Sequence, residues 1–361
     1  MRVALNPLAS RGDYTPEEAA VVSRTLAEAA RQEICRWEGY EVTPLRSLTS
    51  LSRELGLGEL IYKDESGRLG HGSFKTLGGA YAATLKLREI GAHRNVTLCC
   101  ATDGNHGRSV AFAAKRFGCA CVVFMHEGAP AGKAAAIAAL GARVIRVKGT
   151  YDDAVRHVRI TAESEGWILI SDTSQDALDP TTRCVMQGYG TMVLEILEQL
   201  QCRSPPTHIM LQGGVGALAA AVAGVFADIY GAQRPRVIVV EPEAAACLLE
   251  SALRRAPSKV GGDLVTAMAM LSAGEASSVA WPILERRADA FMAIDDAAAI
   301  ATAQRLSAAT ADSPGLDVGV SGAAGVAGLV ELVQHKELAA ALELGTSARV
   351  LAIGTEQGTG S

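Results

Sequence analysis

At 361 residues, 49% hydrophobic and 20% charged, the chain is long and apolar enough to bury one large core or two smaller ones. Its formal net charge of −5 comes without a basic run, which argues against nucleic acid as the main partner, because phosphate binding needs clustered Lys and Arg. No segment offers about 18 consecutive apolar residues, and the N-terminal residues lack a signal-peptide pattern. We therefore expect no membrane partner, a cytoplasmic location and a small-molecule substrate.

The eight cysteines indicate reduced core thiols. They lie mostly in apolar surroundings, without Cys-x-x-Cys spacing or a nearby set of His ligands. Such cysteines behave as small hydrophobic residues. We expect neither disulfides nor a metal site.

The first half of the chain alternates between predicted strands and helices. Helical periodicity covers 15–36, where Thr15 suits the N-cap and Pro16 the first helical position. Residues 37–45 predict a loop that runs extended into Pro44. Strands are then predicted at 60–62, 96–101, 119–125, 143–147 and 167–170, and helices at 74–90, 105–115, 131–140 and 151–165.

A second alternation follows a long predicted helix over 180–201. Its strands are predicted at 208–211, 236–240, 291–294 and 349–353, and its helices at 217–230, 295–308 and 322–334. No hairpin signal interrupts either alternation, and strand–helix–strand units of this kind form parallel sheets with right-handed crossovers. We predict a doubly wound α/β fold with two lobes that share a cleft.

One lysine stands in a glycine-rich entry to a helix, at residues 70–81. Lys75 falls in the first helical turn, on a short and largely apolar stretch. Lost hydration there lowers the pKa of an ammonium group toward that of a useful nucleophile, which makes Lys75 a Schiff-base candidate. A solvated lysine at a helix start is the alternative.

Three glycine-rich turns follow predicted strands, at 103–107, 213–216 and 354–360. Ligands of open α/β sheets bind where strand ends meet helix N-termini. The second turn also matches a dinucleotide fingerprint, and Glu241 ends the next strand, where a ribose-binding carboxylate would lie. An NAD(P)-dependent enzyme is therefore an alternative. It would leave Lys75 and the first turn without a role, whereas a phosphate-bearing carbonyl coenzyme uses all of them.

Four groups of motifs stand out in a fixed order. They are Tyr62-Lys63-Asp64-Glu65-Ser66 with Ser73-Phe74-Lys75-x-x-Gly78-Gly79-Ala80-Tyr81; Ala101-Thr102-Asp103-Gly104-Asn105-His106-Gly107-Arg108; Asp172-Thr173 before Met186-Gln187-Gly188-Tyr189-Gly190-Thr191; and Leu211-Gln212-Gly213-Gly214-Val215-Gly216-Ala217. From about residue 37 to 356, the chain resembles fold type II pyridoxal 5′-phosphate enzymes and, among them, the diaminopropionate ammonia-lyases. Asp103 is the discriminating residue, since serine and threonine dehydratases usually carry a small hydroxyl residue or alanine there.

This resemblance implies a fold, a cofactor and a reaction. The fold would be that of tryptophan synthase β, with a large coenzyme-binding domain from 1–85 and 190–361 and a small α/β domain from 86–189. The cofactor would be pyridoxal 5′-phosphate. The reaction would be α,β-elimination of 2,3-diaminopropionate to pyruvate and ammonia, catalysed by a homodimer.

The resemblance also implies coenzyme-binding residues. Lys75, next to Phe74, would hold the coenzyme as a Schiff base. Asn105 would donate to its phenolic oxygen, and Thr355 would lie near its pyridine nitrogen. The phosphate would be cradled by the backbone N–H groups of Gly213, Gly214, Val215 and Gly216.

Catalytic and substrate-binding residues follow in the same way. Asp103, opposite Lys75, would take the Cα proton of the D-form, and Asp172 would assist loss of the β-amino group from the L-form. The substrate carboxylate would sit at the start of the helix opened by 105–107. The implied substrate-binding residues are Thr102, Asp103, Gly104, His106 and Asp172.

Each polar site residue also has a structural interpretation. Asp103 could serve as an N-cap, His106 as a helix-start histidine with its hydrogen bonds satisfied, and Asp172 as a strand-end turn residue.

The chain departs from the family pattern at three places. Ser174-Gln175-Asp176 follows where an aromatic residue is usual, which predicts a polar pocket wall. Ala323 or Ala324 replaces an acidic residue, and Gly354 replaces a frequent serine. These departures bear on the substrate more than on the coenzyme. A related β-eliminating or β-replacing enzyme, similar to a serine or threonine dehydratase, is therefore the alternative within the same mechanism.

Overall fold

The computed structural model describes residues 1–91, 95–102, 104–201, 204–310 and 314–358. Within these ranges the strands are β1 (Arg2–Leu5), β2 (Leu45–Ser47), β3 (Glu59–Asp64), β4 (Thr97–Ala101), β5 (Ala120–His126), β6 (Arg143–Val147), β7 (Ile168–Leu169), β8 (His208–Gln212), β9 (Arg236–Pro242), β10 (Ala290–Ile294) and β11 (Arg349–Gly354). The helices are α1 (Pro16–Val21), α2 (Arg24–Ile34), α3 (Thr49–Glu54), α4 (Lys75–Ile90), α5 (Asn105–Phe117), α6 (Ala131–Ala138), α7 (Tyr151–Glu165), α8 (Pro180–Leu200), α9 (Ala217–Tyr230), α10 (Cys247–Arg254), α11 (Trp281–Arg287), α12 (Asp296–Ser307), α13 (Val320–Gln334) and α14 (Lys336–Ala341).

The larger of two sheets has seven strands in the order β1-β10-β9-β8-β11-β3-β2. Its five inner strands run parallel, and the edge strands β1 and β2 pair antiparallel with β10 and β3. The inner strands are buried along nearly their whole length because helices cover both faces of the sheet. The parallel arrangement agrees with the predicted alternation, whereas the antiparallel edges were not predicted.

The smaller sheet has four parallel strands in the order β6-β5-β4-β7. One hydrophobic core joins it to the larger sheet, and the helices between them supply fully buried Leu77, Val110, Met192 and Phe226. The two α/β units therefore share an apolar interior. The predicted doubly wound α/β architecture is confirmed by this arrangement.

Helices α4 and α8 cross in direct contact between the two sheets. A Cβ atom on Gly78 would overlap the ring of Tyr189 and lie 2.7 Å from the carbonyl oxygen of Val185. A Cβ atom on Gly188 would overlap the carbonyl oxygen of Leu77. Both positions must therefore be glycine for the helices to approach this closely.

The predicted helix over 15–36 is in fact two helices. Thr15 caps α1 in a reciprocal capping box with Glu18, as Thr15 and Pro16 suggested. The backbone then turns extended at Val22, and the Ser23 hydroxyl accepts from the Leu26 N–H to start α2. Periodicity missed the break because both helices turn apolar residues to the same core.

The predicted domain boundaries at 85/86 and 189/190 each lie inside a helix, α4 and α8 respectively. All four strands of the smaller sheet lie between them. The division into 1–85 with 190–361 and 86–189 stays a prediction. In the described part of the chain, no helix combines the length and apolar character needed to cross a bilayer.

Candidate active site

The carboxyl ends of strands from both sheets converge on one cleft of roughly 810 Å³, a volume that includes the space at its mouth. Strands β4, β8 and β11 lead directly into its wall, as expected for a ligand site in parallel sheets. Ten of the predicted site residues line this cleft: Phe74, Lys75, Thr102, Asn105, His106, Asp172, Gly214, Val215, Gly216 and Thr355. Gly104 and Gly213 are not among the lining residues, and Asp103 lies outside the described residues.

Lys75 is held in place by the segment that precedes α4. The Ser73 hydroxyl accepts from the backbone N–H of Lys75 at 3.1 Å. Phe74 N–H donates to the Thr355 carbonyl at 3.2 Å, and Gln357 N–H donates to the Gly72 carbonyl at 2.9 Å. The first turn of α4 is thereby attached to the end of β11, and Lys75 projects from this junction into the cleft.

The Lys75 ammonium forms an ion pair with the Asp172 carboxylate. Burial lowers the pKa of Lys75, but the adjacent carboxylate outweighs burial and raises the pKa above its usual value. Burial raises the pKa of Asp172, but the Lys75 ammonium outweighs it and lowers the pKa to about 2. The expectation of a lowered lysine pKa is therefore wrong for this arrangement, because sequence reasoning gave Lys75 no partner.

His106 lies beside this pair as a neutral side chain. Its Nε2 is 2.8 Å from the Ile170 carbonyl, to which it donates, and its Nδ1 is 3.9 Å from Asp172 Oδ2. Burial lowers the pKa of His106, although Asp172 acts in the opposite direction. Its Nδ1 has no hydrogen-bond partner among the described residues. The interpretation of His106 as a helix-start histidine with its hydrogen bonds satisfied therefore holds for Nε2 only. Nδ1 can still accept a hydrogen bond.

Tyr189 is a site neighbour that sequence reasoning quoted only as part of a motif. Its ring packs against Phe74 with centroids 4.7 Å apart, and its buried hydroxyl has no hydrogen-bond partner among the described residues. Burial raises the pKa of Tyr189, while the nearby Lys75 ammonium acts to lower it. The sequence feature that could have identified Tyr189 is the Gln187-Gly188-Tyr189-Gly190 segment, where Gly188 allows α8 to approach α4 closely.

The turn over 213–216 offers free backbone donors at the start of α9. Gly213 N–H donates to the Val240 carbonyl at 2.7 Å, so it is not free for a phosphate, contrary to prediction. None of the described residues accepts a hydrogen bond from the N–H groups of Gly214, Val215 or Gly216. Gly216 has φ +92° and a Cβ there would be 2.9 Å from Leu284 Cδ1, which requires glycine. Three amides at a helix N-terminus form an anion site.

Glu241 does not act as the ribose-binding carboxylate of a dinucleotide site. Its fully buried carboxyl group accepts from the N–H groups of Leu248 and Leu249, at 2.8 and 2.7 Å, and so caps α10. Burial raises the pKa of Glu241 to about 8. This occupation argues against the NAD(P) alternative.

The start of α5 is only partly open to a substrate carboxylate. The Thr102 hydroxyl accepts from Gly104 N–H at 2.9 Å and from Gly107 N–H at 3.2 Å. Gly104 has φ +150°, a conformation that only glycine adopts readily. The amides of Asn105 and His106 remain for a ligand, so Gly104 shapes the turn and its own N–H is already used.

A family profile described as pyridoxal-phosphate dependent enzyme matches residues 36–356 of the chain. The chain belongs to this family of pyridoxal-phosphate-dependent enzymes. Its predicted cofactor, pyridoxal 5′-phosphate, is thereby confirmed. Each of the four motif groups contributes at least one residue to the lining of the cleft, such as Lys75, Asn105, Asp172 and Gly214.

Among its relatives is the diaminopropionate ammonia-lyase of Salmonella typhimurium, 41% identical over 350 residues that cover 89% of this chain and 86% of that protein. A crystal structure of the Escherichia coli diaminopropionate ammonia-lyase, in complex with an aminoacrylate-PLP azomethine reaction intermediate, superposes with a TM-score of 0.91 at 34% identity. It covers 99% of this chain and 93% of that one. A chloroplastic threonine dehydratase of Solanum lycopersicum is 32% identical over 228 residues, covering 62% of this chain and 34% of that protein.

The residues of the cleft fit the coenzyme of this family. Lys75 is the only lysine among the described residues of the lining, so it is the one amine there that can bind an aldehyde carbon. The free amides of Gly214, Val215 and Gly216 suit its phosphate. Asn105 and Thr355 line the same cleft and would face the coenzyme ring.

Two family departures have structural explanations. Ser174 and Gln175 lie outside the lining of this cleft, and they bind the neighbouring loop instead: Ser278 N–H donates to the Ser174 carbonyl at 2.8 Å, and Gln175 Nε2 donates to Glu275 at 3.0 Å. Both residues line an adjoining cavity that shares Tyr151, Val215 and Ala273 with the cleft, so the polar pocket wall stays a prediction. Gly354 is glycine because a Cβ would overlap the Tyr62 hydroxyl.

Proposed function

We propose that this chain eliminates ammonia from 2,3-diaminopropionate, so that one substrate and one water give pyruvate and two molecules of ammonia. The observation that carries the proposal is the Lys75–Asp172 pair inside the cleft, with a carboxylate placed to bind an ammonium group. The similarity to diaminopropionate ammonia-lyases, which extends over most of this chain and most of those proteins, supports the same substrate.

The coenzyme, when bound, supplies an electron sink for the pair of electrons left at Cα. Lys75 would hold its carbonyl carbon until the amino group of the substrate replaces it there, and the amides of Gly214, Val215 and Gly216 would hold its phosphate. Asn105 would donate to its phenolic oxygen. The released Lys75 Nζ, in its neutral form, would lie on one side of the substrate and take the Cα proton of the L-form.

Asp172 acts at the leaving group. Its carboxylate stays ionised at neutral pH and already binds one ammonium, so it can bind the β-amino group in the same manner. Bound as an ammonium, that group leaves as neutral ammonia together with the electron pair of the C–N bond, so its departure needs no further proton. The Cα proton stays on Lys75 Nζ as an ammonium beside the Asp172 carboxylate, which balances the elimination. His106 Nδ1 is an open acceptor next to this pair.

Asp103 would take the Cα proton of the D-form from the opposite side. This role rests on the family resemblance of the turn over 101–108. The free amides of Asn105 and His106 would bind the substrate carboxylate at the start of α5.

The alternative within this family is elimination from serine or threonine. The threonine dehydratase similarity covers 62% of this chain, against 89% for the ammonia-lyase.

We further propose a homodimeric enzyme in the cytoplasm, with a large domain of 1–85 and 190–361 and a small domain of 86–189. Light scattering of the purified protein would measure its mass.

The test is release of pyruvate and ammonia from D- and L-2,3-diaminopropionate, L-serine and L-threonine. We expect turnover of both diaminopropionate isomers to exceed that of the hydroxy amino acids. Asp103→Asn should slow the D-isomer by about 10²-fold or more and the L-isomer less, because it removes the base but keeps the capping group.

Equal retention of both activities in this variant would return Asp103 to a capping role. Wild-type turnover of L-serine or L-threonine, without turnover of diaminopropionate, would favour the dehydratase-like alternative.

A further inference from the structure

Asn105 is held from behind by two charged side chains that sequence reasoning did not single out. Lys133 Nζ, from α6, donates to Asn105 Oδ1 at 2.9 Å. Asn105 Nδ2 donates to Glu356 Oε2 at 2.6 Å, and Lys133 Nζ lies 3.4 Å from the same oxygen. The side chains of Lys133 and Glu356 are only 10% and 9% exposed. The three groups form a nearly buried triangle, the Asn105 clamp, next to the coenzyme cleft.

The two charges of the clamp fix which way the amide of Asn105 points. An ammonium group has donors only, so the atom facing Lys133 must be the amide oxygen. An ionised carboxylate has acceptors only, so the atom facing Glu356 must be the amide nitrogen. The reversed amide would set donor against donor and acceptor against acceptor. The clamp thus leaves the second Nδ2 hydrogen unused.

Both clamp residues are themselves fixed by the backbone. The stem of Lys133 packs over Gly104, where a Cβ would lie 2.8 to 2.9 Å from its Cδ, Cβ and Cγ atoms. The backbone of Glu356 pairs with Ser73 and accepts from Gly319 N–H at 3.1 Å. The clamp therefore joins the segment before Lys75, on the larger sheet, to the start of α5, on the smaller sheet.

We propose that Lys133 and Glu356 are positioning residues that hold Asn105 so that its free Nδ2 hydrogen is donated to the coenzyme's phenolic oxygen. This inference rests on the coenzyme contact that the proposed function gives to Asn105. A donor at that oxygen favours its ionised form, so loss of the clamp changes the protonation and the visible absorbance of the bound coenzyme.

The experiment is a pH titration of the visible absorbance of the reconstituted protein, with coenzyme dissociation constants measured by absorbance titration. In Glu356→Gln and Lys133→Met, we expect the titration midpoint to move by about one pH unit, as for loss of one hydrogen bond to a charged group. Coenzyme affinity should fall about tenfold. Lys133→Arg keeps donors at this site and should restore most of the wild-type behaviour.

Matched controls are Glu343→Gln and Lys86→Met, which remove one partner of the exposed ion pairs Arg236–Glu343 and Lys86–Glu89. Neither should move the midpoint. Thermal unfolding of every variant is the control for stability. If Lys133 and Glu356 only stabilised the fold, their variants would have a lower melting temperature and an unchanged titration midpoint.

Asn105→Ala separates the two levels of the proposal. A shifted midpoint in Asn105→Ala, with wild-type midpoints in Glu356→Gln and Lys133→Met, would overturn the clamp and keep the coenzyme contact of Asn105. An unshifted midpoint in Asn105→Ala would overturn the contact between Asn105 and the phenolic oxygen, and with it the positioning role of Lys133 and Glu356. Shifts in all three variants, with rescue by Lys133→Arg, support the inference.

Discussion

Two groups of buried charges each include one residue of helix α8, and they differ in how completely their hydrogen bonds are used. The first, the buried ion network, consists of Lys63, Glu65, Arg68 and Glu195, all completely buried. Arg68 bonds to both carboxylates and Lys63 Nζ lies 2.7 Å from Glu195. Two cations and two anions satisfy one another there, and none of the four lines the described cleft.

The second group, Lys75, Asp172, His106 and Tyr189, also contains a buried ion pair but is incomplete. His106 Nδ1 and the Tyr189 hydroxyl have no hydrogen-bond partner in the described part of the chain, and 20% of the Lys75 side chain is exposed to the cleft. In the buried ion network the charged groups already bind one another, so the network contributes to the fold. In the second group the unpaired His106 Nδ1 and Tyr189 hydroxyl can still bind a ligand or a proton.

The largest effect is expected for Lys75→Ala. It removes the amine that binds the coenzyme, so turnover should fall by about 10⁴-fold or more, with loss of the visible coenzyme band. Borohydride reduction and peptide mapping of the wild type should locate the modified lysine at Lys75. Recovery of the adduct on Lys63 or Lys133 would contradict this assignment. Near-unchanged circular dichroism is the control for folding.

Arg68→Met breaks the buried ion network and should act on stability. Removal of one buried partner leaves two carboxylates with a single cation, which costs about 3 to 5 kcal/mol of unfolding free energy. Urea unfolding measures this loss. The exposed Arg24–Glu28 pair provides the matched control, since Arg24→Met should change stability by about 0.5 kcal/mol at most. Equal losses in both variants would remove the distinction between the network and a surface pair.

Asp172→Asn should lower turnover of L-2,3-diaminopropionate by about 10²-fold. The pKa of Asp172 is about 2 in the folded protein, below its usual 3.8, so its ionised form stabilises the fold above about pH 4. That stabilisation is lost as the pH falls toward 2. The variant should therefore lose less stability than the wild type between these values, measured by thermal unfolding across the pH range. Parallel pH curves would argue against the Lys75–Asp172 pair.

Much of the fold and cleft could be predicted from sequence because the informative features are local. The glycine-rich turn before α5 and the Lys75 segment each read correctly from a few adjacent residues. The edge strands β1 and β2 could not be predicted in this way, since each is short and pairs on one side only, so its conformation depends on a distant strand.

Contacts between residues that are distant in sequence could not be predicted for a related reason. Lys75 and Asp172 are 97 positions apart, and Lys133 and Glu356 are 223 apart. Lys75 and Asp172 were named as site residues without each other as partners, and Lys133 and Glu356 were not assigned to the site, because a local pattern does not show which distant residue the fold brings near. The lowered lysine pKa was inferred from burial alone and failed for that reason. The motif residues Lys63 and Glu65 likewise serve the buried ion network, which no local pattern distinguishes from a site.

The glycine contact between α4 and α8 also restricts how this chain can vary. Gly78 leaves room for the Tyr189 ring, and Gly188 leaves room for the backbone at Leu77. Removing atoms at position 189 would not make room for a methyl group at position 78, because that group would still lie 2.7 Å from the Val185 carbonyl oxygen. A substitution at either glycine therefore has to move the helix backbones, and with them the Tyr189 phenol next to Lys75.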